Sequence, residues 1–157
     1  MTSAILGFED FAAVLPAMRP LIGLDLGTKT IGVALSDRTL TVATALETIA
    51  RKKFTLDGER LDVIIAKHDV CGIVVGLPLN LDGSEGPRVQ ATRAFVRNLS
   101  ARVDLPMLLH DERWSTVAAE RMLIDADVSR KRRAEVIDQV AAVIILQGAL
   151  DRMRATR

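Results

Sequence analysis

The sequence predicts an α/β fold in which an antiparallel hairpin lies at one side of a sheet and parallel strands lie beyond it. The chain has 157 residues, about the length of one domain, and 49% of them are hydrophobic, which is enough for a packed core. Three β-type segments come first, and helical and β-type segments then alternate. Because such alternation is typical of parallel strands joined by helices, we expect one mixed sheet covered by helices.

The first strands follow from apolar runs that begin after residue 20. Leu21–Leu26 and Ile31–Ser36 are separated by a short Gly/Thr turn, which is the pattern of a β-hairpin, and Thr41–Ile49 is a weaker third strand. We expect residues 1–20 to form an N-terminal extension outside the main fold. Residues 21–157 then make up the domain.

Helices and strands alternate through the rest of the chain. Helices are predicted from apolar residues at helical spacing, and strands from short apolar or β-branched runs. The predicted elements are the helix Leu56–His68, the strand Cys71–Val75, the loop Leu77–Pro87, the helix Val89–Ala101, the strand Pro106–His110, a helix from Ser115 or Thr116 to about Ile124, the polar connector Asp125–Arg133 and the helix Ala134–Met153.

Composition excludes several classes of protein. The single cysteine, Cys71, leaves no internal disulfide framework and no multi-cysteine metal site, which fits a reducing cytoplasm. The longest apolar run, Val140–Leu146, is far shorter than the roughly 18 residues of a membrane span, and the N-terminus does not resemble a secretory signal. With only two histidines, a bound metal would need carboxylate ligands, which favours magnesium or manganese.

The distribution of charge is a modest hint of a polyanionic partner, although an arginine-rich composition alone often reflects only genomic bias. Residues 1–87 hold 8 basic and 11 acidic side chains, whereas residues 88–157 hold 13 basic and 9 acidic ones. Arginines outnumber lysines by 16 to 5, and the planar guanidinium suits phosphate. Aromatic residues make up only 3% and tyrosine is absent, so we expect contacts to a nucleic-acid backbone rather than base stacking.

Three acidic segments are candidates for chemistry. Asp25 ends an apolar strand, where a carboxylate is costly unless it is paired or binds a metal, although it could also accept hydrogen bonds from the turn. Asp111 and Glu112 follow a strand, and because side chains alternate we expect only one of them to share a site with Asp25; a solvated polar turn is the alternative. Asp138 shares a face of the last helix with small apolar residues, which suggests either a close approach to the sheet or a bound metal. The alternative is a merely polar first turn, with Glu135, that the helix dipole stabilises.

Basic residues near these acids are candidates for phosphate contacts. The run in residues 130–133 could bind a nucleic-acid backbone or could be only a solvated connector. The full set of candidates is Lys29, Arg113, Arg130, Lys131, Arg132 and Arg133.

Four segments in this order carry a family resemblance. They are Gly23–Ala34 (GLDLGTKTIGVA), Val75–Gly83 (VGLPLNLDG), His110–Arg113 (HDER) with Ser115-Thr116, and Asp138 through Ile144-Ile145-Leu146. Together they resemble the YqgF family, the Holliday-junction-resolvase-like proteins linked to maturation of pre-16S ribosomal RNA. The resemblance covers about residues 21–150.

The resemblance implies a ribonuclease H-like fold, with a five-stranded mixed sheet whose first three strands are antiparallel and with flanking helices. It also implies that Asp25, Glu112 and Asp138 are the catalytic acids. Three carboxylates can hold one or two Mg²⁺ or Mn²⁺ ions against a scissile phosphodiester. Whether Asp111 or Glu135 assists is left open.

The expected function is therefore that of a metal-dependent endonuclease that hydrolyses phosphodiester bonds of structured nucleic acid. The substrate we expect first is the 5′ end of pre-16S ribosomal RNA. The alternatives are a resolvase of four-way DNA junctions and a non-catalytic nucleic-acid-binding module. An ATPase of the actin and heat-shock chaperone superfamily is disfavoured, since those proteins use two such domains around a cleft. We expect structured RNA, free or within a ribosomal particle, or branched DNA as the partner, no membrane, and a monomer or homodimer.

Overall fold

The computed structural model describes residues 4–80, 82–111 and 130–156, with side chains in the last helix described from Gln139 onward. In this part of the chain, six strands form one mixed sheet and four helices flank it. The strands are β1 (Ile5–Leu6), β2 (Leu21–Leu26), β3 (Thr30–Ser36), β4 (Ala43–Ala50), β5 (Gly72–Leu77) and β6 (Met107–Asp111). The helices are α1 (Phe8–Val14), α2 (Phe54–His68), α3 (Pro87–Arg102) and α4 (Arg130–Ala155).

The strand order β1-β6-β5-β2-β3-β4 confirms the predicted mixed sheet. Strands β2, β3 and β4 are antiparallel neighbours, whereas β5 pairs with β2 and with β6 in parallel. The carboxyl ends of β2, β5 and β6 therefore meet at one edge, which we call the carboxyl edge. In open α/β sheets this edge is the usual place for ligands.

The N-terminal segment corrects two expectations, that it lies outside the main fold and that the sheet has five strands. Strand β1 pairs in parallel with β6, and the backbone N–H of Met107 donates to the Ala4 carbonyl at 2.7 Å. In α1, Phe11 is completely buried. The segment adds the sixth strand because it covers the outer edge of β6 and an apolar face of the sheet.

The last helix begins earlier than predicted. Residues 130–133, expected to belong to a polar connector, form the first turn of α4. Arginine and lysine are good helix formers, so a run of them continues a helix as readily as it forms a linker. The predicted helix ending near Ile124 and residues 125–129 lie outside the described residues.

Each face of the sheet buries its own core. Alternate residues of β2 point to opposite faces, so Ile22 and Leu24 pack with α2 and α3, whereas Leu21 packs with α4. All six residues of β2 are buried, as expected for a central strand covered on both faces.

Helix α4 lies very close to β2. A Cβ placed on Gly23 would be 2.7 Å from the Leu146 Cβ and 3.0 Å from the Ala142 carbonyl oxygen. Glycine at position 23 therefore allows a helix-to-sheet approach that a side chain would prevent.

Hydrogen bonds fix the direction of α4 across the sheet. The Gln147 amide accepts from the Ala43 N–H at 2.9 Å and donates to the Thr41 carbonyl at 2.9 Å, at the start of β4. The Gln139 amide donates to the Thr48 hydroxyl at 2.8 Å, near the end of β4. Because β4 runs in the same direction as β2, the N-terminal half of α4 lies at the carboxyl edge. Among the described residues, no helix has the length and apolar character needed to cross a membrane.

Candidate active site

Asp25 lies at the carboxyl edge on the side covered by α4. It is the penultimate residue of β2, it pairs with Gly32 of β3, and its side chain is 7% exposed. Because Asp25 follows Gly23 by two residues, it lies on the same face of the sheet, beneath α4. The strand thus holds a carboxylate at the boundary between the core and the edge.

Residues at the end of β6 divide between the two faces. His110 pairs with Gly76 and lies against α4, since a Cβ on Gly148 would be 2.9 Å from the His110 Nε2. Asp111 is exposed and, like Leu109, belongs to the α2/α3 face. Asp111 and Asp25 are therefore on opposite faces of the sheet.

The imidazole of His110 is partly enclosed between β6 and α4. Burial is the main cause that lowers the pKa of His110, and the nearby Arg152 cation lowers it further, while the Asp111 carboxylate acts in the opposite direction. His110 is consequently held toward its neutral form on the same face of the sheet as Asp25.

The backbone of α4 carries Asp138 toward Asp25. Asp138 precedes Ala142 by four residues, which is about one turn or ~6 Å along the axis. The Ala142 carbonyl lies over Gly23, and the N-terminal direction of α4 leads to the carboxyl edge. The helix therefore brings position 138 to the face and edge that hold Asp25.

The other predicted acid and several predicted cations are not described. Glu112 and Arg113 lie outside the described residues, and residues 130–133 are placed only as the first turn of α4. Within the described residues, no three or more acidic, histidine or cysteine side chains are grouped as metal ligands. Lys29 is exposed in the turn between β2 and β3, and its carbonyl accepts from the Arg51 N–H at 2.9 Å.

Two arginines that the sequence analysis did not single out lie at the end of β2. The Arg51 Nη1 donates to the Gly27 carbonyl at 2.6 Å, and the Arg88 Nη2 donates to the Leu26 carbonyl at 3.3 Å. The Arg51 guanidinium also lies 5.5 Å from the centre of the Phe95 ring. The sequence signals were a basic run directly after a strand and a cation in the first turn of a helix, where the helix dipole disfavours positive charge.

Known proteins resemble this chain in sequence over nearly its whole length. A family model described as "RuvX: Holliday junction resolvase" matches residues 19–152. A protein of Ruegeria sp. (strain TM1040) is 70% identical over 150 residues, covering 96% of each chain. One of Rhodobacter capsulatus is 60% identical over 147 residues, covering 94% of this chain and 92% of the relative. Both relatives carry the name "Putative pre-16S rRNA nuclease".

Solved structures resemble the chain in fold. RuvC of Thermus thermophilus in complex with a Holliday junction substrate has a TM-score of 0.54 at 12% identity, covering 86% of this chain and 96% of RuvC. A second structure of that RuvC has a TM-score of 0.51 at 12% identity, with coverages of 87% and 97%. At such low identity the likeness establishes the fold alone, and it confirms the expected ribonuclease H-like architecture.

Proposed function

The chain belongs to the RuvX family, described as Holliday junction resolvases, and from this premise we propose that it is a metal-dependent endonuclease that hydrolyses phosphodiester bonds of structured nucleic acid. We propose pre-16S ribosomal RNA as the substrate, cut at its 5′ end, because the relatives at 60–70% identity are named for that RNA. The observation that carries the proposal is the crossing of α4 over Gly23, which leads position 138 toward the buried Asp25.

The proposed catalytic residues are Asp25, Glu112 and Asp138, which would hold one or two Mg²⁺ or Mn²⁺ ions. Their donor atoms are carboxylate oxygens, the ligands that these hard ions prefer. Asp111 shares the α2/α3 face with Leu109, opposite to Asp25, and for this reason we propose Glu112 rather than Asp111 for the site. Bound divalent ions supply a more acidic water and a counter-charge for the leaving oxygen.

The proposed nucleic-acid-binding residues lie in three parts of the chain. They are Lys29, Arg113, Arg130, Lys131, Arg132 and Arg133. Lys29 is exposed at the end of the β2–β3 hairpin, and residues 130–133 form the end of α4 that the helix direction carries to the carboxyl edge. Cations at these points would neutralise phosphates on either side of the scissile bond.

A second candidate substrate is a four-way DNA junction, which the description of the family favours. In either case the enzyme would act in the cytoplasm, where its substrates are made, and residues 21–157 would carry the nuclease activity. Comparing the cleavage rates of the RNA and of the four-way DNA junction with the same preparation distinguishes the two candidates.

The decisive experiment compares Asp25→Asn with a matched control, Asp111→Asn, on defined RNA and four-way DNA substrates in magnesium or manganese. Asparagine keeps the size of the side chain but removes the charge that a cation needs. We expect Asp25→Asn to lower the cleavage rate at least about a hundredfold, or ~2.7 kcal/mol, whereas Asp111→Asn keeps most of it. Thermal melts verify that both variants fold, and a chelator abolishes genuine cleavage.

Two results would contradict the proposal. Cleavage by Asp25→Asn at the wild-type rate would indicate a contaminating nuclease or another site. Binding without cleavage by the wild type in any divalent ion would identify a non-catalytic nucleic-acid-binding module.

A further inference from the structure

A small cavity lies beneath the end of β2, on the face opposite to Asp25. Its volume is about 60 Å³, and it is lined by the Gly27–Thr28 turn, Arg51 and Arg88 together with Thr92 of α3. One water needs only ~10–15 Å³ of such space, so the cavity has room for the oxygens of one anionic group. None of the cavity's side chains belongs to the proposed catalytic set.

Two guanidinium groups supply positive charge to this cavity. Arg51 donates to the Gly27 carbonyl in the turn after β2, and Arg88 donates to the Leu26 carbonyl at the end of β2. A guanidinium has five N–H donors, so one such bond orients the group and leaves other donors for a ligand. The two carbonyls thus orient two cations that line one cavity, and an anion bound there would interact favourably with both.

Thr92 supplies a buried hydroxyl. Its side chain is only 3% exposed and lines the same cavity. Among the hydrogen bonds of the described residues, none involves this hydroxyl, although buried polar groups are paired in the great majority of cases. A buried hydroxyl without a partner destabilises the free protein, and a ligand oxygen in the cavity would satisfy it.

The start of α3 adds to the positive potential. The helix begins at Pro87 after Gly86, which makes no side-chain capping bond, and its first turn contains no acidic residue. Helix N-termini carry partial positive charge and favour anions. Arg88 lies in this first turn, where its positive charge interacts unfavourably with the helix dipole. An anion bound to Arg88 and to the start of α3 would relieve this unfavourable interaction.

We infer that this cavity binds a backbone phosphate of the nucleic-acid substrate through Arg51, Arg88 and the Thr92 hydroxyl. The inference rests on the proposed function only in taking nucleic acid as the substrate. Asp25 and Gly27 are two residues apart on an extended chain, or ~7 Å. The cavity therefore holds a phosphate close to the scissile one, on the other side of β2, and fixes the path of the strand across the carboxyl edge.

The test measures binding rather than cleavage, in EDTA, so that no metal chemistry enters. Fluorescence anisotropy with a short RNA duplex and with a four-way DNA junction is compared for the wild type, Arg88→Ala and Thr92→Val. Arg93→Ala is the matched control, because Arg93 is an arginine of the same helix that pairs with Glu85 at 2.8 Å. We expect Arg88→Ala to weaken binding about tenfold and to reduce the slope of log affinity against log salt by ~0.7–0.9. Arg93→Ala leaves both quantities unchanged.

Thr92→Val gives a second, independent readout. It removes the hydroxyl at nearly constant volume, so we expect binding to weaken roughly twofold to tenfold while the melting temperature of the free protein rises. A hydroxyl with a purely structural role would lower the melting temperature and leave binding unchanged. In the double variant the two losses of affinity should be less than additive, because both side chains contact the same phosphate.

The outcomes separate the cavity from the catalytic proposal. If Arg88→Ala and Thr92→Val bind like Arg93→Ala, or if the wild type does not bind either probe, the cavity is not a phosphate site. If Arg88→Ala and Thr92→Val weaken binding as expected while the wild type cleaves neither substrate, the cavity is supported as a phosphate site and the endonuclease proposal is wrong.

Discussion

Replacing Gly23 by alanine tests whether the close contact between β2 and α4 assembles the site. The new Cβ would lie 2.7 Å from the Leu146 Cβ and 3.0 Å from the Ala142 carbonyl oxygen, whereas carbon atoms in contact prefer ~3.5–4.0 Å. Both opposing atoms are fixed by the helix, so no side-chain rotation relieves the overlap. Relief requires α4 to move outward by roughly 1 Å, and overpacking of this kind destabilises a protein by about 1–3 kcal/mol.

The assay is urea unfolding of Gly23→Ala beside Gly7→Ala, where a Cβ meets no atom within 4 Å. We expect the free energy of unfolding to fall by about 1–3 kcal/mol at position 23 and by less than about 0.5 kcal/mol at position 7. Because the movement of α4 shifts position 138 relative to Asp25, the cleavage rate under native conditions should also fall. Equal stability of the two variants would refute the reasoning that α4 is packed against the backbone of β2.

Two further predictions concern the contribution of the N-terminal segment to stability and the loss of stability at acid pH. Phe11→Ala should lower the free energy of unfolding by about 3–5 kcal/mol in urea, since Phe11 is fully buried; a change below 1 kcal/mol would show that residues 1–20 are dispensable to the domain. The Thr39 hydroxyl and two backbone N–H groups lower the pKa of Asp37 to about 2, so its stabilising effect is complete above about pH 4 and is lost as the pH falls toward 2. Asp37→Asn should be less stable than the wild type at pH 6, and the difference should shrink as the pH falls from 4 to 3; a constant difference would contradict this assignment.

The sheet could be predicted from the sequence because its central strands are buried on both faces. Gly72–Leu77 is apolar throughout and Leu21–Leu26 is apolar except for Asp25, and the amphipathic pattern of α2 marks a helix with one exposed face. The first twenty residues gave no comparable signal. A strand of two residues and a helix of seven are too short for periodicity, and the burial of Phe11 depends on a sheet face made by distant parts of the chain.

The site was predictable to the extent that its chemistry is local. Asp25 could be singled out because a carboxylate at the end of an apolar strand is costly wherever the strand lies. Arg51 and Arg88 could not be singled out, because they donate to backbone carbonyls 24 and 62 residues away. Every residue has a backbone carbonyl, so the sequence does not indicate which of them binds an arginine. Only the paired strands bring these groups together.

The register of β2 decides which face of the sheet receives each group. Gly23 and Asp25 belong to the α4 face, while Leu24 belongs to the α2/α3 face. A slip of one residue would reverse these assignments, because side chains alternate with a period of two. It would bury Gly23 against α2 and α3, force Leu24 into the space that α4 occupies, and turn Asp25 toward Arg51. The fit between Gly23 and α4 therefore does more than stabilise the fold: by excluding the slipped register, it keeps the carboxylate on one side of β2 and the arginine cavity on the other.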